Sequence, residues 1–159
     1  MDIFAHGFWT YAVFNKKKYR WLATLFGVLP DLLSFGPLFA YMLFKGLKFV
    51  KDENAIPDYV FAIYSLTHSL IIFFIVTLVV YLILRKFPWP MLGWGLHILI
   101  DIPTHTTTFF PTPFLWPISN LRVNGIAWSN QTFMMVNYAA LIIFYAYIFY
   151  SRYKNKKYH

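Results

Sequence analysis

Residues 59–84 read YVFAIYSLTHSLIIFFIVTLVVYLIL, a run of 26 residues without Asp, Glu, Lys or Arg. As a helix rising about 1.5 Å per residue the run is about 39 Å long, which exceeds the ~30 Å hydrocarbon core of a bilayer. Arg85 and Lys86 follow it directly. The run therefore predicts a transmembrane helix.

Three further apolar runs flank this one, at residues 21–44, 87–102 and 132–150. The charged stretch 45–58 is typical of a solvated loop. Residues 103–131, rich in Pro, Thr and aromatic residues, are typical of an interfacial loop. The first fifteen residues are too few for an upright span and predict an interfacial or half-inserted helix. We therefore predict one integral membrane domain over residues 1–159, an all-α polytopic bundle with about four transmembrane helices.

Composition agrees with a membrane protein. Hydrophobic residues make up 59% of the chain and charged residues 13%, against about 25% charged residues in soluble domains. The absence of Cys excludes disulfides, thiolate nucleophiles and Cys-type metal sites. The net charge of +8 comes from short basic clusters beside apolar runs, which argues against a nucleic-acid surface.

The basic residues also predict an orientation. If the spans alternate, ten Lys and Arg residues lie on one side of the membrane and four on the other. The positive-inside rule places the side with ten in the cytoplasm, together with the basic C-terminal end, and the 103–131 loop outside. At the N-terminus an acid precedes the apolar stretch and the basic cluster follows it, so we expect no cleaved signal peptide. These features predict a prokaryotic-type cytoplasmic membrane.

Ionisable residues within or beside the apolar runs are the candidate site. They are His6, Asp31, His68, His97, Asp101 and His105. Counted from the nearest basic boundary, His6, Asp31 and His97 lie at a common depth of about 15 Å. Such residues are costly in a bilayer and by default mark function. We therefore expect the six to converge.

Spacing adds chemistry to this expectation. His97 and Asp101 are four residues apart, so they project from one helix face and can bind the same metal ion. Structural alternatives exist for the others. Asp31 can cap a half-helix after Pro30, and His68 can hydrogen-bond to a neighbouring helix. His6 can be an interfacial residue and His105 a loop residue.

A set of short motifs then suggests a family. They are His6-Gly7, GVLPDLLSF at 27–35, THSL at 67–70, GLHILIDIPTH at 95–105 and FLWPIS at 114–119. In this order they resemble the membrane-bound metal-dependent hydrolase family (YdjM-like), which is similar to zinc-dependent phospholipase C. The resemblance covers residues 6 to about 119.

The resemblance implies a ligand set and a reaction. Asp31, His68, His97 and Asp101 would bind a central ion, and His6 would belong to a neighbouring one. The later His and Glu ligands of a three-metal phospholipase site have no counterpart, so one or two ions are expected. The implied function is hydrolysis of a phospholipid or lipid-linked (phospho)ester by metal-activated water, with Asp31 and Asp101 as catalytic residues.

The ligand atoms predict which metal ion binds, and the 103–131 loop offers a candidate for binding the substrate. Imidazoles and carboxylates favour Zn²⁺, and also accept Mn²⁺, Fe²⁺ or Ni²⁺. Arg122 in the 103–131 loop is a weak candidate for a phosphate headgroup or a snorkelling anchor. The expected partner is a membrane lipid or lipid-linked substrate, with a homo-oligomer left open.

Three other function classes fit parts of the pattern. A proton- or metal-coupled transporter also uses Asp and His at membrane depth. A haem-binding membrane protein uses His, but does not call for Asp four residues from a ligand. A non-catalytic structural role would need no metal at all.

Overall fold

A computed structural model describes residues 1–47 and 56–157, with side chains described to residue 155. These residues form six α-helices and a short 3₁₀ turn at Trp89–Met91. The helices are α1 Ile3–Phe14, α2 Arg20–Lys45, α3 Asp58–Thr67, α4 Leu70–Leu84, α5 Leu92–Thr104 and α6 Gln131–Lys157. These described residues form no strand, which agrees with the all-α prediction. Most of the predicted 45–58 loop lies outside them.

Helix α1 starts where the sequence supplies a cap. The Asp2 side chain accepts a hydrogen bond from the backbone N–H of Ala5 at 3.0 Å, satisfying one of the free donors of the first turn. With 12 residues, α1 is about 18 Å long, too short to cross a bilayer upright. Its insertion depth stays a prediction.

Helix α2 runs unbroken through two prolines, Pro30 and Pro37. Asp31 therefore lies inside a 26-residue helix, and the alternative in which it caps a half-helix is not what the structure contains. The helix ends at Gly46, whose φ of 63° is the left-handed cap conformation that glycine adopts without strain.

The run at 59–84 is not one straight helix. It divides into α3 and α4, whose axes are bent by 61° at a short break. His68 ends α3, and the Ser69 side chain caps α4 by accepting from Ile72 N–H at 3.2 Å. The break places the His68 backbone outside regular helix.

Among the residues that the structure describes, two helices are long and apolar enough to cross a membrane, Arg20–Lys45 and Gln131–Asn155. The bent α3–α4 pair makes a third if it is a single broken span. Helix α5, with 13 residues, is about 20 Å long and shorter than the hydrocarbon core. The number of four spans therefore stays a prediction.

Burial follows the pattern of a protein surrounded by lipid. Large apolar side chains are exposed along the helices, including Phe44 at 90%, Ile83 at 73% and Ile143 at 71%. The fully buried side chains include His6, His68, His97 and Asp101 instead. Such an outward apolar surface is consistent with membrane association, as the sequence predicts.

The chain between α5 and α6 folds back onto the bundle. Tyr64 donates its hydroxyl to the Phe110 carbonyl at 3.0 Å, and Leu70 N–H donates to Phe114 O at 2.9 Å. Further on, Trp128 N–H donates to Thr104 O at 3.0 Å. The segment therefore covers the ends of α3 and α5 where His68 and His105 lie.

Candidate metal centre

Four of the predicted residues form one buried group that can hold a metal ion: Asp31, His68, His97 and Asp101. Nε2 of His68 lies 3.5 Å from Asp31 Oδ1 and 3.4 Å from Asp101 Oδ2. Nε2 of His97 lies 3.7 Å and 3.3 Å from the same two oxygens. The two Nε2 atoms are 3.0 Å apart. Two helices, α2 and α5, and the α3–α4 break supply these atoms.

These separations fit a tetrahedral ion. Four atoms placed tetrahedrally at the ~2.0–2.1 Å bond lengths of zinc lie about 3.3 Å from one another. The five separations given above, 3.0 to 3.7 Å, bracket that value. Asp101 Oδ2 is buried and has no hydrogen-bond partner in the described part of the chain. Such an atom is costly unless a cation satisfies it, so the donor set fits the predicted ion.

The other oxygen of Asp101 faces a second group. His6 Nε2 lies 2.9 Å from Asp101 Oδ1, and His105 Nε2 lies 3.3 Å from it. The amino group of Met1 also contacts Asp101 and lies 3.1 Å from His105 Nε2. The Asp101 carboxylate therefore stands between two sets of nitrogen donors. The structure thus brings together all six candidate ligands, and their roles stay predictions.

Backbone carbonyls orient three of the four imidazoles. The Nδ1 atoms of His97 and His105 lie 2.7 Å from Gly27 O and 2.8 Å from Phe110 O. The Nδ1 atom of His68 lies 3.1 Å from Tyr64 O. An Nδ1–H that donates to a carbonyl leaves Nε2 without a proton and aimed inward, the arrangement metal-binding histidines usually have. All three rings thus present Nε2 to the carboxylates.

Close helix approach makes these contacts geometrically feasible. A Cβ added to Gly93 would lie 2.0 Å from Ala23 O, so the backbones of α5 and α2 nearly touch. A Cβ on Gly27 would lie 2.2 Å from Thr10 Oγ1 on α1. Small residues at helix contacts are the usual device for close packing in membranes. Here they bring α1, α2 and α5 close enough for their ionisable side chains to meet.

Arg122, the weak candidate for a phosphate headgroup, and Ser69, which follows His68, have different surroundings. Arg122 is partly exposed, and its guanidinium donates to Leu121 O at 3.2 Å; no contact with the six ligands is present among the described residues. Ser69 caps α4 and donates its hydroxyl to Trp116 O, so it does not orient His68. Thr67 takes that place, with its Oγ1 3.0 Å from His68 Nδ1.

Sequence reasoning missed the carbonyls of Gly27 and Phe110. The glycine belongs to the GVLPD motif, and its absence of a side chain is a signal for close backbone approach. Phe110 lies in an irregular segment and has a positive φ of 44°. Nothing in the sequence around Phe110 predicts this backbone conformation or the contact of its carbonyl with His105.

Comparisons with known proteins gave no match to a family model, to a curated protein or to a solved structure. The resemblance to the YdjM-like hydrolase family therefore rests on the short motifs alone.

Proposed function

We propose that this protein is an integral membrane hydrolase that holds one or two divalent ions and cleaves a phospholipid or a lipid-linked (phospho)ester. The observation that carries the proposal is the convergence of four imidazoles on the Asp101 carboxylate, with the Asp31 carboxylate beside two of them. We keep the YdjM-like family as the proposed relationship, because the motifs that resemble it contain all six of these residues.

The residues divide by their geometry. His68, His97 and Asp101 Oδ2 would hold the first ion, and His6, His105 and Asp101 Oδ1 a second. When bound, a divalent ion lowers the pKa of a coordinated water toward ~7 and polarises the bond under attack. Zn²⁺ is the expected ion, with Mn²⁺, Fe²⁺ or Ni²⁺ as alternatives.

Asp31 has a distinct place in this group. It makes the longest separation, 3.7 Å to His97 Nε2, and its side chain is 14% exposed whereas the other three are at most 1% exposed. A carboxylate at the open edge can either complete the ligand set or accept a proton from the attacking water. The flanking α2 residues Leu32 and Leu33 are 44% and 47% exposed. The open edge therefore adjoins an apolar surface, which supports a lipid as substrate.

A metal-coupled transporter is the second candidate. The break between α3 and α4 favours it, because transporters place ion sites where membrane helices are interrupted. Uptake of radioactive zinc into proteoliposomes that contain the purified protein would distinguish it from a hydrolase. A haem is not favoured, because the Nε2 atoms of His68 and His97 are only 3.0 Å apart and the His6 ring stacks on His97 at 3.7 Å.

The decisive experiment replaces Asp101 by Asn, which is nearly isosteric. Because even outer-shell substitutions cost roughly 10–100-fold in metal affinity, we expect Asp101→Asn to lose at least that much, and hydrolysis with it. Metal content is measured by elemental analysis of protein purified without added metal, and activity on phosphatidylglycerol, phosphatidylcholine and a generic phosphodiester. Asp58→Asn, at an exposed position in the first turn of α3, is the matched control. Equal metal and equal hydrolysis in both variants would reject the proposal.

The orientation is tested separately. With the basic end in the cytoplasm, a single Cys at Ser151 should be protected from an impermeant maleimide in intact cells and should react after lysis. Labelling in intact cells would reverse the proposed orientation without touching the hydrolase assignment.

A further inference from the structure

A groove on the outer face of α1, α2 and α6 reaches Leu32, beside the open edge at Asp31, but contains no residue of the metal centre. Its volume is about 670 Å³, and its walls are almost entirely apolar; they include Phe4, Phe8, Trp21, Val28, Leu32 and Phe149. None of the six candidate ligands lines it. The volume falls within the ~300–1,000 Å³ range of ligand sites in proteins.

The length of the groove matches one leaflet. Trp21 and Leu32, which both line it, are eleven residues apart on α2 and so about 16 Å apart along the helix. Half of the ~30 Å hydrocarbon core is about 15 Å. The groove is therefore long enough for one acyl chain of a membrane lipid.

Two guanidinium groups lie at one end of the groove, around Tyr11. The guanidinium of Arg152 donates to Tyr11 Oη at 3.4 Å and to Asn15 O at 3.3 Å. The Arg20 guanidinium lies 6.0 Å from the centre of the Tyr11 ring. The hydrogen bond from Arg152 lowers the pKa of Tyr11 below its usual value. Tyr11 therefore marks a strongly positive end, next to Lys16, Lys17 and Lys18.

These two cations have no anionic partner in the part of the chain that the structure describes. Neither Arg20 nor Arg152 pairs with a carboxylate among the described residues, and Arg20 Nε is buried without a hydrogen-bond partner there. Guanidinium groups bind phosphate through paired N–H donors. Basic pockets between membrane helices bind anionic lipid headgroups in the same way.

We propose that the α1–α2–α6 groove binds one anionic phospholipid from the leaflet on the basic side, with its phosphate at Arg20 and Arg152 and one acyl chain along the groove. The apolar walls favour a ligand that carries an acyl chain over a free phosphate. The uncompensated cations favour an anionic headgroup over a zwitterionic one. This site does not depend on hydrolase activity.

Native mass spectrometry of the full chain in detergent tests the proposal, with palmitoyl-oleoyl phosphatidylglycerol and phosphatidylcholine as probes at equal concentration. We expect one phosphatidylglycerol to remain bound per chain and phosphatidylcholine to be lost first. Glycerophosphate, which has the charge but no acyl chain, should not displace the lipid. Equal retention of the two lipids, displacement by glycerophosphate or a second copy of the chain in place of lipid would overturn the proposal.

Matched variants locate the site. Arg20→Gln with Arg152→Gln should weaken phosphatidylglycerol retention by roughly 25-fold, about fivefold for each charge near a membrane surface. Arg85→Gln with Lys86→Gln removes two other basic residues and should leave retention unchanged. If the first pair does not fold, Arg152→Gln alone, at an exposed position, should still lose about fivefold.

The acyl contact has its own pair of variants. Phe149→Ala in the groove should lower retention by roughly threefold to tenfold, whereas Phe74→Ala on α4 should not. Equal effects of Phe149→Ala and Phe74→Ala, or of the two pairs of basic substitutions, would show that lipid binds without regard to the groove and would overturn the proposal.

Discussion

Two regions of the molecule are built from apolar helices: the contact between α2 and α5, and the outer face of α4. They differ in how closely their backbones approach a neighbour and in how exposed their side chains are. At the contact, a Cβ on Gly93 would lie 2.0 Å from Ala23 O, and His97 reaches a carbonyl of the facing helix. On α4, Phe74, Leu78 and Ile83 are 62%, 55% and 73% exposed.

This difference shows where a membrane protein places large apolar residues and where it places small and ionisable ones. Lipid tails solvate large apolar side chains as well as a protein core does, so such residues need no protein partner. Lipid tails do not solvate ionisable groups, so these groups must contact one another inside the bundle. Small residues let the backbones approach, and the approach lets the ionisable side chains meet.

The largest effect is expected when the close contact is broken. In Gly93→Ala the new methyl group would meet the Ala23 carbonyl, so α5 must move away from α2 and His97 away from Gly27 O. We expect a loss of about 3 kcal/mol in the free energy of unfolding, at the upper end for overpacking, together with loss of bound metal. Thermal unfolding in detergent and elemental analysis measure the two effects.

Gly36→Ala is the matched control, since nothing lies within 4 Å of a Cβ at that position of α2. It should leave metal content unchanged and add up to about 1 kcal/mol of stability from helix propensity. If both variants behave alike, close approach of α5 to α2 does not hold the site together.

A smaller effect on metal content is expected when a histidine on only one side of Asp101 is changed. His68 contacts the Oδ2 side and His105 the Oδ1 side. We expect His68→Ala to lose the first ion and nearly all hydrolysis, and His105→Ala to lose the second ion while the first stays bound. Elemental analysis per folded chain, with helix content from circular dichroism, measures the outcome.

Stoichiometry decides between one shared site and two. A wild-type chain that binds a single ion, lost equally in both variants, would show that the six residues act as one site around one ion. Two ions in wild type and one in His105→Ala would confirm that Asp101 serves both sides.

The candidate site was more predictable than the fold around it. Counting residues from the basic boundaries placed His6, Asp31 and His97 at one depth, and the structure places all three in the cluster. Helical spacing predicted that His97 and Asp101 share one face of a helix. In the structure His97 Nε2 lies 3.3 Å from Asp101 Oδ2. Both arguments need only the regular rise and period of a helix.

The break at His68 and the number of spans could not be predicted in the same way. Residues 59–84 contain no Pro or Gly, so their composition is typical of one continuous helix. The break depends on contacts distant in sequence, in which Ser69 and Leu70 bond to carbonyls of Trp116 and Phe114. Hydropathy counts apolar residues and contains no information on such contacts.

The smallest effect is expected on the lipid-facing side. Leu78 on α4 is 55% exposed, whereas Ile98 on α5 is fully buried next to His97. In Leu78→Ala lipid fills the space that the side chain leaves, so the free energy of unfolding should change by no more than about 0.5 kcal/mol, with metal content unaltered. In Ile98→Ala no lipid can enter, and the cavity should cost about 2–3 kcal/mol. Chemical unfolding of both variants in one detergent compares them directly. Equal losses in the free energy of unfolding would show that α4 packs against a protein partner, such as a second copy of the chain. The outer face of α4 would then not differ from the α2–α5 contact in being free of protein neighbours.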